Sequence, residues 1–91
     1  MIERRVSVAN PLGLHARAAA RFVQTATRFR SDVVLTKGRA AIDGKSILGI
    51  LFLAATFGTE LSISASGVDE QEALDALVEL LASDSGDGER E

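Results

Sequence analysis

The sequence has no cysteine, tryptophan or tyrosine, and a single histidine and a single proline. Without cysteine there can be no disulfide, no thiolate zinc site and no cysteine nucleophile. One histidine excludes a His-rich metal site, so neither a metal nor a cofactor is expected. Long apolar runs are lacking too. The longest uncharged stretch, residues 46–59, is too short to span a bilayer and is interrupted by Gly49 and Gly58. The opening "MIERRVSV" has no apolar signal core. These features lead to the expectation of a cytoplasmic protein without membrane insertion. The formal net charge is −3, so there is no basic excess to call for a nucleic-acid partner.

What is present is aliphatic. Of the 91 residues 46% are hydrophobic, supplied mainly by Ala, Leu, Ile and Val, which suits one packed domain rather than a disordered chain. The expected domain covers residues 1–83, and the polar "DSGDGERE" marks residues 84–91 as a disordered acidic tail. Residues 2–9 alternate, with Ile2, Val6 and Val8 against Glu3, Arg5 and Ser7, as in a half-exposed strand. Pro11 and Gly13 stop it. Helical spacing of Ala16, Ala19, Ala20, Val23 and Ala26 then predicts a helix to about Thr27 with those residues buried. "SDVVLTKGRAAID" reads as two short strands around Lys37 and Gly38. A short helix follows over 46–54, started by Ser46, and "ELSISASG" alternates as a strand with one wet face. Asp69 opens a last helix with Ala73, Leu74, Leu77, Val78, Leu80 and Leu81 as its buried stripe. The order βαββαβα predicts an α+β fold: a four-stranded, largely antiparallel sheet with three helices on one face.

His15 stands immediately before the first helix, where unpaired backbone N–H groups and the helix dipole favour an anion. The amides of Ala16 and Arg17 are the candidate phosphate-binding backbone, and the Arg17 guanidinium can donate several hydrogen bonds to phosphate oxygens. Phosphoryl transfer asks mainly for positioning and charge stabilisation, so a small protein without a metal can take part in it. A lone histidine at a helix start serves equally well as a cap, and the residues alone leave both roles open. Arg21 and Arg28 read as a solvated helix face.

"NPLGLHARAAARF", "GKSILGI" and "GTELSI" together, in order and spacing over about residues 2–82, resemble the HPr family, the histidine-containing phosphocarriers of the bacterial phosphotransferase system. The resemblance implies an open-faced β-sandwich. It also implies that His15 is the catalytic residue, accepting a phosphoryl group on its δ nitrogen (pros-phosphohistidine) from phospho-enzyme I and passing it to enzyme II A domains, in the service of sugar transport, or to a regulatory acceptor. Arg17 would steady the phosphoryl charge. Ala18 stands where the family most often has proline, a helix-start device whose loss leaves the chemistry intact.

The apolar "ILGILFL" is too short a helix for all of its side chains to be buried. Ile50 and Leu53 are the expected core positions, and exposed apolar clusters often mark partner sites. By resemblance Ile47, Leu48, Leu51 and Phe52 form the docking face beside His15. Ser46 reads as a helix cap; by resemblance it is also a regulatory phosphorylation site for an HPr kinase/phosphorylase. A phosphate there adds about −2 charge to the docking face. The leading expectation is a monomeric phosphocarrier rather than a stand-alone enzyme. Two alternatives stand beside it: a nitrogen-type regulatory carrier, toward which the Ala18 version of the motif leans, and a binding regulator controlled mainly through Ser46.

Overall fold

A computed structural model describes residues 1–83. The expected tail, residues 84–91, lies outside the described residues. The elements run β1 (Ile2–Ser7), α1 (Ala16–Ala26), β2 (Asp32–Lys37), β3 (Ala40–Asp43), α2 (Ile47–Leu53), β4 (Glu60–Ser66) and α3 (Glu70–Ser83). The βαββαβα order is the one read from the sequence.

The strands form one sheet in the order β1-β4-β2-β3, with every neighbouring pair antiparallel. Its register explains the alternation. Val6 pairs with Leu61, while Ala65 lies between Ile2 and Val33 and Ile63 between Arg4 and Leu35, so the apolar residues fall on one face. Ser62 and Ser64 fall on the other face, beside Arg5 and Thr36 and beside Glu3 and Val34. One face is therefore core and the other is open. Gly38 takes φ +59 in the two-residue turn between β2 and β3, where Lys37 pairs with Ala40. An L side chain resists that conformation, so glycine sets the hairpin.

The core joins Val6, Leu35, Leu61 and Ile63 of the sheet to Phe22 of α1, Ile50 of α2 and Leu74 and Leu77 of α3, all buried. On α3 the expected stripe holds, with Ala73, Leu74, Leu77 and Leu81 buried and Val78 and Leu80 partly so. On α1 the buried face is rotated from the expected one. It consists of Ala18, Ala19, Phe22 and Ala26; Ala16 is exposed, and Ala20 and Val23 are only half-buried. The large Phe22 decides the rotation, because burying its ring removes far more apolar area from water than burying an alanine methyl. The first strand also ends at Ser7, short of the expected residue 9, although the Val8 amide still donates to the Thr59 carbonyl at 2.9 Å. No helix of the described residues is long and apolar enough to cross a membrane.

Candidate functional site

The turn that carries His15 is built by Asn10. Buried to 5% exposure, this residue accepts from the Leu12 amide on its Oδ1 at 2.8 Å, and its carbonyl accepts from the Gly13 amide at 2.8 Å. An asparagine that hydrogen-bonds the backbone two residues on is a local turn device. Gly13 then continues at φ +73 and passes so close to the segment after α2 that a Cβ on it would lie 2.6 Å from the Ala55 carbonyl oxygen. Only glycine fits. The next amide, that of the buried Leu14, donates to the same oxygen at 2.9 Å, so the turn is seated on residue 55 just before His15.

His15 is the N-cap of α1, with φ −78 and ψ −177. Its carbonyl already accepts the first helical hydrogen bond, from the Ala19 amide at 2.8 Å, and its Nδ1 accepts from the Arg17 amide at 3.2 Å. In a neutral imidazole one nitrogen donates and the other accepts, so this contact assigns the proton to Nε2 and leaves the lone pair on Nδ1. The ring is half-buried, and the Ala16 and Arg17 side chains are exposed. The arrangement offers a nucleophilic nitrogen beside a helix N-terminus, where a negative group is favoured.

Ser46 occupies the equivalent place on α2. It is the N-cap, and its Oγ accepts from the Gly49 amide at 3.0 Å. Below it the helix divides as expected, with Ile50 and Leu53 buried while Leu48 is 80% and Phe52 79% exposed; Ile47 and Leu51 are exposed to a lesser degree. α2 packs against α1, and Ala55, two residues beyond the end of α2, accepts from the Leu14 amide. His15 and the apolar face therefore lie on neighbouring elements.

The sequence placed Lys37 only in the hairpin turn; it is instead the last residue of β2, and its Nζ donates to the Leu53 carbonyl at 2.9 Å and the Ala54 carbonyl at 3.4 Å, closing the C-terminal end of α2. Sequence reasoning also left the Asn10 turn unassigned, although Asn-Pro followed by glycine is a readable turn signal.

The family described as "PTS HPr component phosphorylation site" matches residues 2–83. The chain belongs to the HPr family. Phosphoryl carriage within the phosphotransferase system is the role that goes with that membership. The phosphocarrier protein HPr of Neisseria meningitidis serogroup A is 44% identical over 89 residues, covering 98% of this chain and 100% of the relative. A crystal structure of HPr-C-His from Thermoanaerobacter tengcongensis superposes with a TM-score of 0.88 at 44% identity, covering 91% of this chain and 93% of that one. An HPr dimer from the same bacterium gives 0.73 at 44% identity, over 92% and 97% of the two chains. The four-stranded antiparallel sheet and three helices described above are thus those of solved HPr structures.

Proposed function

We propose that this chain takes a phosphoryl group from phospho-enzyme I onto Nδ1 of His15 and passes it to an enzyme II A domain or a nitrogen-type acceptor. The observation that supports this most is the Arg17 amide on Nδ1 at 3.2 Å, which leaves that nitrogen as the one with a lone pair. In the transfer, the donor's bond to phosphorus breaks as the Nδ1–P bond forms, and the ring keeps its Nε2 proton. The imidazole then carries positive charge beside the phosphoryl dianion, a state ready to give the group away again. Because the lone pair is consumed, the Arg17 amide must turn from Nδ1 to a phosphoryl oxygen. The Ala16 amide joins it, and the Arg17 side chain meets the remaining negative charge in the complex with a partner. No step needs a cofactor of the chain's own.

Ile47, Leu48, Leu51 and Phe52 are the docking face in this reading. Apolar contact around a charged centre suits partners that must leave quickly. Ser46 is the regulatory site, open to an HPr kinase/phosphorylase, and a phosphate there places charge among those apolar residues. The transferring unit in this reading is the monomer. We take the compartment to be the cytoplasm, where donor and acceptors meet.

Incubation with enzyme I and phosphoenolpyruvate is expected to add one acid-labile phosphate per chain, and His15→Ala is expected to abolish it. Labelling of that variant at the parental stoichiometry would sink the assignment.

A further inference from the structure

α2 is held at both ends by lysines that stand outside it. Before its start, the Lys45 Nζ donates to the Phe29 carbonyl at 3.0 Å, in the segment that follows α1. At its end, the half-buried Lys37 reaches from the last residue of β2 to the Leu53 and Ala54 carbonyls. The two ends differ in what else secures them. The start has the Ser46 cap, and the Gly44 amide just before it donates to the Val33 carbonyl at 2.7 Å. The end runs through Ala54, whose φ of +53 is left-handed, a conformation that an L side chain adopts at a cost.

Such a conformation persists only where its surroundings impose it. The last carbonyls of a helix lack partners within it, and a cation there satisfies them and meets the negative end of the dipole. Lys37 does both. The two carbonyls it meets also flank the Ala54 α carbon, so one ammonium constrains both dihedrals of the strained residue, more firmly at Leu53 (2.9 Å) than at Ala54 (3.4 Å). The next carbonyl, that of the buried Ala55, is the one on which the Leu14 amide is seated and against which Gly13 passes without room for a Cβ. His15 follows Leu14 directly. A change of dihedral at Ala54 would carry the Ala55 carbonyl away, and the turn that seats His15 would lose its support.

We propose that Lys37 is a positioning residue for phosphoryl transfer, which through Ala54 and Ala55 sets the turn that presents Nδ1 of His15. It touches none of the reacting atoms. The proposal rests on the phosphocarrier reading and adds to it a residue of the sheet. Because Lys37 acts on the geometry of the acceptor and not on its contact with the donor, its loss should appear in the maximal rate of transfer and not in the concentration needed to reach half of it.

The test compares the parent, Lys37→Met, Lys37→Gln and Lys37→Arg in two measurements: phosphoryl transfer from phospho-enzyme I over a range of acceptor concentrations, and deuterium exchange of the Leu14 amide. Methionine keeps the apolar stem and removes the donor. Lys37→Met is expected to lower the maximal rate about tenfold, with a half-maximal concentration within about twofold of the parent's. Its Leu14 amide should exchange about tenfold faster, relative to the amides of the central strands β2 and β4. Lys37→Arg, which keeps charge and donors, should restore most of both values, and Lys37→Gln, shorter but still a donor, should fall between. Asp69→Asn removes an ionised acceptor outside this path and should leave the maximal rate unchanged below its melting range. A parental maximal rate in both Lys37→Met and Lys37→Gln would overturn the proposal, as would Leu14 exchange raised no more than that of the central strands. A raised half-maximal concentration at an unchanged maximal rate would also overturn it, making Lys37 a contact for the donor. Failure of the parent to accept phosphate would overturn the phosphocarrier reading instead, and the Leu14 exchange, which needs no donor, would still decide whether Lys37 sets the turn.

Discussion

His15 and Ser46 share one structural employment. Each is the N-cap of a helix, and in each the atom proposed to carry a phosphoryl group, Nδ1 or Oγ, accepts a hydrogen bond from the helix's first turn. A phosphoryl group on either atom therefore exchanges one acceptor for a charged one at the helix start, where negative charge is favoured, so modification leaves the fold in place while changing what a partner meets. The same logic gives Ser46 a stability role independent of any kinase. Ser46→Ala is expected to cost about 1 kcal/mol, since the Gly49 amide loses its partner, and to leave phosphorylation at His15 intact. Denaturant unfolding and phosphoryl labelling of the same preparation check both halves. A variant as stable as the parent would mean that the cap is replaced by water without cost. The position of His15 at the start of a helix was legible in the sequence, because the apolar spacing from Ala16 onward marks where the helix begins. The δ nitrogen was implied only by the family resemblance; the residues themselves could not choose between Nδ1 and Nε2, because the choice depends on where the Arg17 amide points.

At the scale of the element, α2 decides what is displayed. Seven residues make two turns, enough to bury Ile50 and Leu53 and too few to hide Leu48 and Phe52. That division was readable from the length of the apolar run. The burial of α1 was misread because alanines at several spacings fit a helical stripe equally well, and only packing singles out the face that carries Phe22. α2 also ends under strain: Ala54 takes φ +53 and ψ +44, a left-handed cap usually given to glycine. Lys37 supports it by donating to the last carbonyls of the helix. Ala54→Gly is expected to raise stability by about 0.5–1 kcal/mol, because relief of the left-handed Cβ clash outweighs the added freedom of the unfolded chain. The midpoint of chemical unfolding reads this, and a fall in midpoint would show that the Ala54 conformation costs less than the entropy of a glycine.

Across the whole molecule, Asp69 ties the start of α3 to the segment between α1 and β2. Its Oδ1 accepts from the Ser31 hydroxyl at 2.6 Å and the Ser31 amide at 3.0 Å, and its Oδ2 accepts from the Arg30 amide at 2.9 Å. These bonds, the Ser31 hydroxyl foremost, hold the Asp69 carboxyl below its ordinary range. Folding thus favours the ionised form: the clamp contributes fully above the unfolded value of about 4 and is lost as pH falls through the lower folded value. Asp69→Asn is expected to lower stability at neutral pH and to flatten the acid limb of the stability curve. An acid limb identical to the parent's would place the acid sensitivity elsewhere. The bonds of the clamp involve no residue of the histidine turn or of the apolar face, so this fastening is separate from the surface proposed for exchange. The central claim concerns one atom on that surface. Long-range proton–nitrogen NMR of 15N-labelled protein, recorded before and after phosphorylation by enzyme I and phosphoenolpyruvate, tests it most directly. The account predicts phosphorus on Nδ1 of His15 with the proton retained on Nε2 and a large shift of the Arg17 amide. Phosphorus on Nε2, or an Arg17 amide that does not move, would contradict it.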